Sequence, residues 1–224
     1  MPAPEGAPAR GEGTAATDAP AASPTGYTLI PPPGWELIPL REGTEEALRA
    51  LVDGAVRDLP EELPRDRRTE ARMALHKELH QAVRQAREAH AHSLYLPVRR
   101  VRGHLLAASF VVSERLRAPG SGPRDDLVAG LLRSPGAGRE AEATEVDGVA
   151  GVRTEGVVAA DPARGVEHDS RHVDYVFPVP GPEGGRWVTV SFSVLTGEGP
   201  HGELADALVG LFDAVMTTFR WRYA

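Results

Sequence analysis

Three glycines, Gly197, Gly199 and Gly202, have the G-x-G-x-x-G spacing that is typical of dinucleotide-binding turns between a strand and a helix. Such a site needs a parallel β-α-β unit whose turn donates backbone N–H groups to phosphate. Pro200 has no N–H to donate inside this turn, and only 22 residues follow Gly202. We therefore interpret the string as a glycine-rich connection, and we predict no cofactor here.

A second group of residues that could bind a metal or take part in a reaction is a set of histidines in one predicted helix. His76 and His80 are spaced i, i+4 and share a helix face, as metal-binding pairs do. The segment His76-Lys-Glu-Leu-His80 differs from H-E-x-x-H because lysine takes the place of the glutamate. Arg87 falls on the same side of the helix, and a cation there opposes a bound metal. His90 and His92 are the other two histidines of this set. We predict no metal site from the four.

A third feature is the concentration of positive charge between Arg65 and His104. This stretch holds ten arginine or lysine residues and four acidic ones, whereas the whole chain has a net charge of −7. The asymmetry predicts a surface that binds an acidic protein partner. Binding of nucleic acid or another anion through this basic helix face is a weaker alternative. Tyr95 is the only aromatic residue in the stretch, so the interleaved aromatic residues of single-strand binders are missing. The candidate partner-binding residues are His76, His80, Arg84 and Arg87.

The fourth candidate is the segment Glu167-His-Asp-Ser-Arg-His172, with Asp174 close behind it. Serine, histidine and aspartate are the residue types of a hydrolytic triad, but adjacency in sequence does not arrange them as one. No G-x-S-x-G elbow occurs in the chain. An enzyme of hydrolase or metal-dependent type, built on this segment or on the histidine pair, remains an alternative. We assign no residue a catalytic role.

The secondary structure that positions these groups follows from the spacing of apolar residues. The alternation of strands with short turns predicts an α+β fold, in which one antiparallel sheet of about six strands is flanked by amphipathic helices. We predict helices over 44–59, with Thr44 as N-cap, over 65–92 and over 125–132. Strands are expected over 36–40, 93–100, 104–113, 140–146, 149–159, 171–179 and 187–195, with turns at Arg102-Gly103 and Asp147-Gly148. A final helix near the chain end carries an apolar stripe of Leu204, Leu208, Leu211, Phe212, Val215 and Phe219.

Composition sets the domain organisation and the compartment. Residues 1–26 are rich in alanine, proline and glycine and predict a disordered tail, and residues 27–224 predict a single domain. The chain has no cysteine, so disulfides and thiolate chemistry are excluded. It has no apolar run of about 20 residues that would span a membrane, and its start does not resemble a signal peptide. We therefore expect a cytoplasmic protein, although export without an N-terminal signal stays open.

Several segments together resemble a known fold group. They are Gly34-Trp-Glu-Leu-Ile-Pro-Leu40, Val173-Asp-Tyr-Val-Phe-Pro-Val-Pro180, Trp187-Val-Thr-Val-Ser-Phe-Ser193 and the final helix from Leu211 to Trp221. The chain is similar in layout to proteins of actinobacteria and to Mog1/PsbP-like α/β/α sandwiches, including the LpqN-type proteins. The resemblance implies a binding or accessory protein rather than an enzyme, and it brings no catalytic residues. Together with the charge asymmetry, it leads us to expect a non-catalytic domain that binds a protein partner.

Overall fold

A computed structural model describes residues 22–99, 106–116, 124–161, 168–181, 185–195 and 199–224. The described helices are α1 (Thr44–Arg57), α2 (Arg65–Glu88), α3 (Arg124–Arg133) and α4 (Glu203–Met216). The described strands are β1 (Gly26–Thr28), β2 (Trp35–Pro39), β3 (Ala91–Pro97), β4 (Ala107–Leu116), β5 (Arg139–Val146), β6 (Val149–Val158), β7 (Ser170–Pro178), β8 (Arg186–Leu195) and β9 (Arg220–Arg222).

Seven of these strands form one antiparallel sheet in the order β2-β3-β4-β8-β7-β6-β5. The central pair, β4 and β8, is in register from Ala107 opposite Leu195 to Leu116 opposite Arg186. The remaining strands, β1 and β9, form a separate two-stranded ribbon. The α+β class and the antiparallel sheet predicted from the sequence are confirmed, and the sheet has seven strands where about six were expected.

One face of the sheet carries the larger core and is covered by α4 and the ribbon. The aromatic rings of Phe192 on β8 and Phe212 on α4 stack with their centroids 4.8 Å apart. Tyr27 of the ribbon stacks on Phe219, which is completely buried. This packing of large rings between helix and sheet is where most of the apolar surface leaves water.

The opposite face of the sheet is covered by α1 and α2 over β2, β3 and β4. Leu94 and Tyr95 are neighbours on β3 and therefore point to opposite faces. Tyr95 belongs to the larger core, whereas Leu94 packs in a second cluster with Leu48 of α1 and Val83 of α2. Helices thus pack on both sides of the sheet, and the basic helix α2 lies on the side away from α4.

Two sequence predictions about helix ends are wrong. The final helix was expected to continue through Phe219, but α4 ends at Met216 and the chain then enters β9. Leu204 and Leu211, assigned to the buried stripe, are 44% and 38% exposed, because the helix buries the adjacent positions. The predicted N-cap Thr44 is the first residue of α1. Its hydroxyl donates to the carbonyl of Pro39 at 2.7 Å, so it does not cap the helix.

The other predicted elements occur with shifted bounds. Helix α2 begins at Arg65 as predicted but ends at Glu88, because His90 adopts a positive φ of 60° and starts the turn into β3. The turn Asp147-Gly148 joins β5 to β6 with φ of 47° and 77°, as expected for this hairpin sequence. The Arg102-Gly103 turn and the first 21 residues of the predicted tail lie outside the described residues.

Candidate functional site

The basic face of α2 borders an open groove with a volume of about 530 Å³. Val83 is almost completely buried between α2 and the sheet, and the other lining residues are more exposed. Three of the four candidate partner-binding residues line the groove, and the full set of lining residues is His80, Val83, Arg84, Arg87 and Glu88. The accessible surface of the groove is therefore mostly cationic.

Arg87 has an internal role as well as a place in the groove. Its Nε donates to the carbonyl of Leu40 at 3.0 Å, and its Nη2 donates to the Thr44 hydroxyl at 2.9 Å. These two bonds fasten the end of α2 to the connection between β2 and α1. A substitution of Arg87 would therefore disturb the fold as well as any bound partner.

Arg84 differs from most other cations of α2 in having no partner of its own. Within the part of the chain that the structure describes, no hydrogen bond or ion pair of Arg84 is present. By contrast, Arg67 pairs with Glu70 at 3.0 Å, and Arg72 pairs with Asp53 of α1 at 2.5 Å. The positive charge of Arg84 thus faces the groove without internal compensation.

The histidine pair of α2 is closer together than its sequence spacing alone requires. The Nε2 atoms of His76 and His80 are 3.1 Å apart. Glu45, in the first turn of α1, places a carboxylate oxygen 3.7 Å from His80 Nε2. Sequence reasoning did not include Glu45, because the approach of α1 to α2 depends on the packing of both helices on the sheet. Among the described residues, no set of three or more His, Asp or Glu side chains is arranged to hold a metal ion.

The Ser/His/Asp candidate lies on β7, where Ser170, His172 and Asp174 share one face of the sheet. Ser170 Oγ and His172 Nε2 are 2.8 Å apart on one face. Asp174 shares that face but forms an ion pair with Arg139. Burial lowers the pKa of His172, Asp174 raises it and Arg139 lowers it further. Ser170 is only 6% exposed, so its hydroxyl is closed to a substrate from solvent.

A polar surface crosses the sheet next to this pair, on the same face as His172. Two rows of directly opposed residues form it: Ser109, Ser193 and His172 in one, and Ser191, Asp174 and Thr154 in the other. An antiparallel sheet commonly has one face packed on the core and one polar face, and these rows belong to the second. The alternation of Thr189, Ser191 and Ser193 with buried valine and phenylalanine was visible in the sequence, but it was not interpreted as a polar face.

The structure places the glycine string outside any dinucleotide-binding unit. β8 is antiparallel to both of its neighbours, β4 and β7, so no parallel β-α-β unit precedes α4. The strand after α4 is β9, which pairs with β1 and not with the main sheet. Gly202 is the residue before α4, Gly199 has a φ of 87°, and Gly197 lies outside the described residues.

None of the helices in the described ranges combines the length and the apolar character needed to cross a lipid bilayer. No protein-family model matches the sequence, and neither does any curated protein.

Several solved structures are similar to this chain at low identity. One is a protein of Bacteroides thetaiotaomicron, with 13% identity and a TM-score of 0.33; the alignment covers 58% of this chain and 38% of that one. Another is the Ran-binding protein Mog1p of Saccharomyces cerevisiae, with 16% identity and a TM-score of 0.33; the alignment covers 58% of this chain and 78% of that one. A Mog1 point mutant matches with the same values.

At a TM-score of 0.33 the likeness carries no argument about the function or the partners of this chain. The LpqN-type relationship and the actinobacterial origin stay predictions.

Proposed function

We propose that this chain is a non-catalytic protein-interaction domain, which binds an acidic segment of a partner protein in the groove beside α2. The observation that carries the proposal is the position of Arg84, an arginine without an internal partner among the described residues, on the rim of an open groove. Arginine forms planar, bidentate hydrogen bonds with carboxylates and is therefore well suited to an acidic ligand.

The rim of the groove supports this type of ligand. His80 and Arg87 lie beside Arg84 along one side of α2, and Arg87 is already held in place by Leu40 and Thr44. A side chain that is fixed before binding loses less conformational freedom when the partner arrives. Glu88 is the single acidic residue on the rim of the groove. It repels the carboxylates of an acidic ligand, which must therefore lie on the side of the groove away from Glu88.

The enzyme alternative has less support. Its serine and histidine are hydrogen-bonded, but the serine is buried and the aspartate is engaged by Arg139. A hydrolase needs its nucleophile within reach of the substrate. The nucleic-acid alternative stays open as a weak binding mode of the same basic face, and salt dependence separates it from protein binding.

The test compares wild-type protein with the charge reversals Arg84→Glu and Arg67→Glu. Arg67 is the matched control, because it lies on the same helix about 25 Å from Arg84 at 1.5 Å per residue. Each variant is immobilised and exposed to native lysate, and the retained proteins are quantified. We expect a specific protein to be retained by wild type and by Arg67→Glu, and lost with Arg84→Glu. Retention of every specific protein by Arg84→Glu would show that the groove is not the binding site.

A second measurement with a defined probe covers the other classes of ligand. A fluorescent polyglutamate peptide and a single-stranded oligonucleotide are titrated separately into wild type and Arg84→Glu at low salt. The proposal expects the peptide to bind to wild type and more weakly to the variant. Binding of the oligonucleotide alone, with a steep loss of affinity as salt rises, would favour the nucleic-acid alternative instead.

A further inference from the structure

We propose that His76 and His80 form a two-histidine chelate for a divalent ion of the late first-row transition metals, such as Zn²⁺, Ni²⁺ or Cu²⁺. His80 also lines the α2 groove, but the metal site rests on its own geometry. It can therefore be correct or wrong independently of the partner proposal.

The distance between the two imidazoles fits one shared ion. Metal–imidazole bonds are about 2.0–2.1 Å long, so two such nitrogens stand about 3.3 Å apart at a tetrahedral angle and about 2.9 Å apart at a right angle. The observed distance between His76 Nε2 and His80 Nε2 is 3.1 Å, between these two values. The ring centroids are 4.2 Å apart and the rings are tilted by 44°, so both Nε2 atoms approach each other without stacking. An ion can bind both with small side-chain movements.

The proton balance of binding is simple. At 3.1 Å in the metal-free chain, one Nε2 must donate a proton and the other must accept it, because two donors would repel. Metal binding moves the proton of the donating ring from Nε2 to Nδ1, and both Nε2 lone pairs then become ligands. Both imidazoles are neutral in the metal-bound form, and a ring that carried a proton on each nitrogen gives one of them up to solvent.

The charges that face the pair are compatible with a cation. The sequence argued against a metal because Arg87 shares this side of the helix, but in the structure its guanidinium is held by Leu40 and Thr44. Glu45 brings a carboxylate oxygen to 3.7 Å from His80. Arg72 also lies nearby on α2 but is paired with Asp53, whereas Lys77 and Arg84 will weaken binding.

The chelate has two protein ligands and leaves its other positions to water. This agrees with the lack of a complete set of three or more ligands among the described residues. Imidazole suits zinc, nickel and copper, and copper should bind most tightly. Magnesium and calcium prefer oxygen ligands and should not bind to the pair. His76 is exposed and the His80 side chain is 36% exposed, so the ion has access from solvent.

The test is calorimetric titration of the full chain with ZnCl₂, NiCl₂, CuCl₂ and MgCl₂, for wild type, His76→Asn, His80→Asn and His90→Asn. His90 is the matched control, because it is an exposed histidine just after α2 whose φ of 60° asparagine also tolerates. Loss of either ligand should weaken binding of the transition metals by about 100-fold, since the second contact of a chelate is intramolecular. His90→Asn should bind as wild type does, and MgCl₂ should give no site.

A measurement on the unaltered chain covers the case in which a variant misfolds. Substoichiometric Cu²⁺ should broaden the NMR signals of the His76 and His80 rings before those of His90. If wild type binds none of the three transition metals, if both ligand variants bind as tightly as His90→Asn, or if other histidines broaden first, the proposal is wrong.

Discussion

Arg153 of β6 and Asp213 of α4 form a bidentate ion pair, with Nε to Oδ1 and Nη2 to Oδ2 both at 3.0 Å. Tyr175 of β7 donates its hydroxyl to the same aspartate at 2.9 Å. The Arg153 guanidinium also reaches Glu155 at 2.7 Å and Glu142 at 3.1 Å. Burial alone would lower the pKa of Arg153, but its hydrogen bonds to Asp213 and Glu155 outweigh burial and raise it. Charged groups thus fasten α4 to β6 and β7 at the margin of the apolar core.

Replacement of this arginine by methionine should destabilise the fold. Arg153→Met keeps an unbranched side chain but leaves Asp213 and Glu155 without their cation. Because the Asp213 side chain is 36% exposed, water partly compensates, and we expect a loss of about 1–3 kcal/mol in the free energy of unfolding. Urea unfolding followed by circular dichroism measures it. Arg49→Met, at an exposed position of α1, is the control, and an equal effect in both variants would contradict a role for the pair.

The turn between β5 and β6 holds the last strand in place through Asp147. Its Oδ2 accepts a hydrogen bond from the backbone N–H of Trp221 at 2.8 Å, and Trp221 is only 9% exposed. Asp147→Ala leaves this donor unpaired and puts alanine at a φ of 47°, so we expect a loss of about 2–3 kcal/mol. Asp147→Asn keeps the acceptor and tolerates the backbone, so it should stay close to wild type in urea unfolding. Similar losses in the two variants would contradict this account.

The regular part of the fold could be predicted because its determinants are local. The alternation of residues in Val173–Val179 and Trp187–Leu195 indicates strands, and Asp147-Gly148 is a strong hairpin turn. The end of α4 could not be predicted this way. Phe219 continues the helical spacing of apolar residues, but it is buried against the rings of Tyr27 and Phe177. Its position is therefore decided by contacts distant in sequence.

The candidate site shows the same division between local and distant determinants. The spacing of His76, His80, Arg84 and Arg87 correctly places them on one side of a helix. The bonds that distinguish their roles come from α1 and the end of β2, through Thr44, Glu45 and Leu40. Nothing in the spacing along α2 indicates that Arg87 is engaged and Arg84 is not. Whether these residues bind a partner stays a prediction.

Two pairs of glycines should respond to alanine in opposite ways. A Cβ at Gly54 of α1 or Gly210 of α4 would meet nothing within 4 Å, and alanine favours the helix. We expect each of these variants to gain about 0.5–1 kcal/mol in the free energy of unfolding. A Cβ at Gly156 would lie 2.8 Å from the carbonyl oxygen of Gly138, and at Gly151 it would lie 2.7 Å from that of Val176. Thermal and urea unfolding should show both sheet variants to be less stable than wild type.

The stability of the fold should decrease as the pH falls from about 7.5 to about 5.5, in part because of His172. Burial, with Arg139 adding to it, lowers the pKa of His172 below the ordinary value of 6.5, although Asp174 opposes the shift. As the pH falls through 6.5, the unfolded chain therefore takes up a proton before the folded chain does, which lowers the free energy of unfolding. The full contribution is present above 6.5, and the loss levels off once the pH is below the pKa in the folded state.

Urea unfolding of His172→Gln at a series of pH values checks this prediction. His201→Gln is the control, because it removes a histidine from an exposed position. The slope cannot exceed about 1.4 kcal/mol per pH unit for one proton. His172→Gln should make the curve flatter than that of His201→Gln. The stability of His172→Gln should still depend on pH to some extent, because the pKa of His92 is also lowered. Burial is the main cause, Arg41 acts in the same direction and Glu114 opposes it. If His172→Gln and His201→Gln have the same slope, the proton uptake does not involve His172.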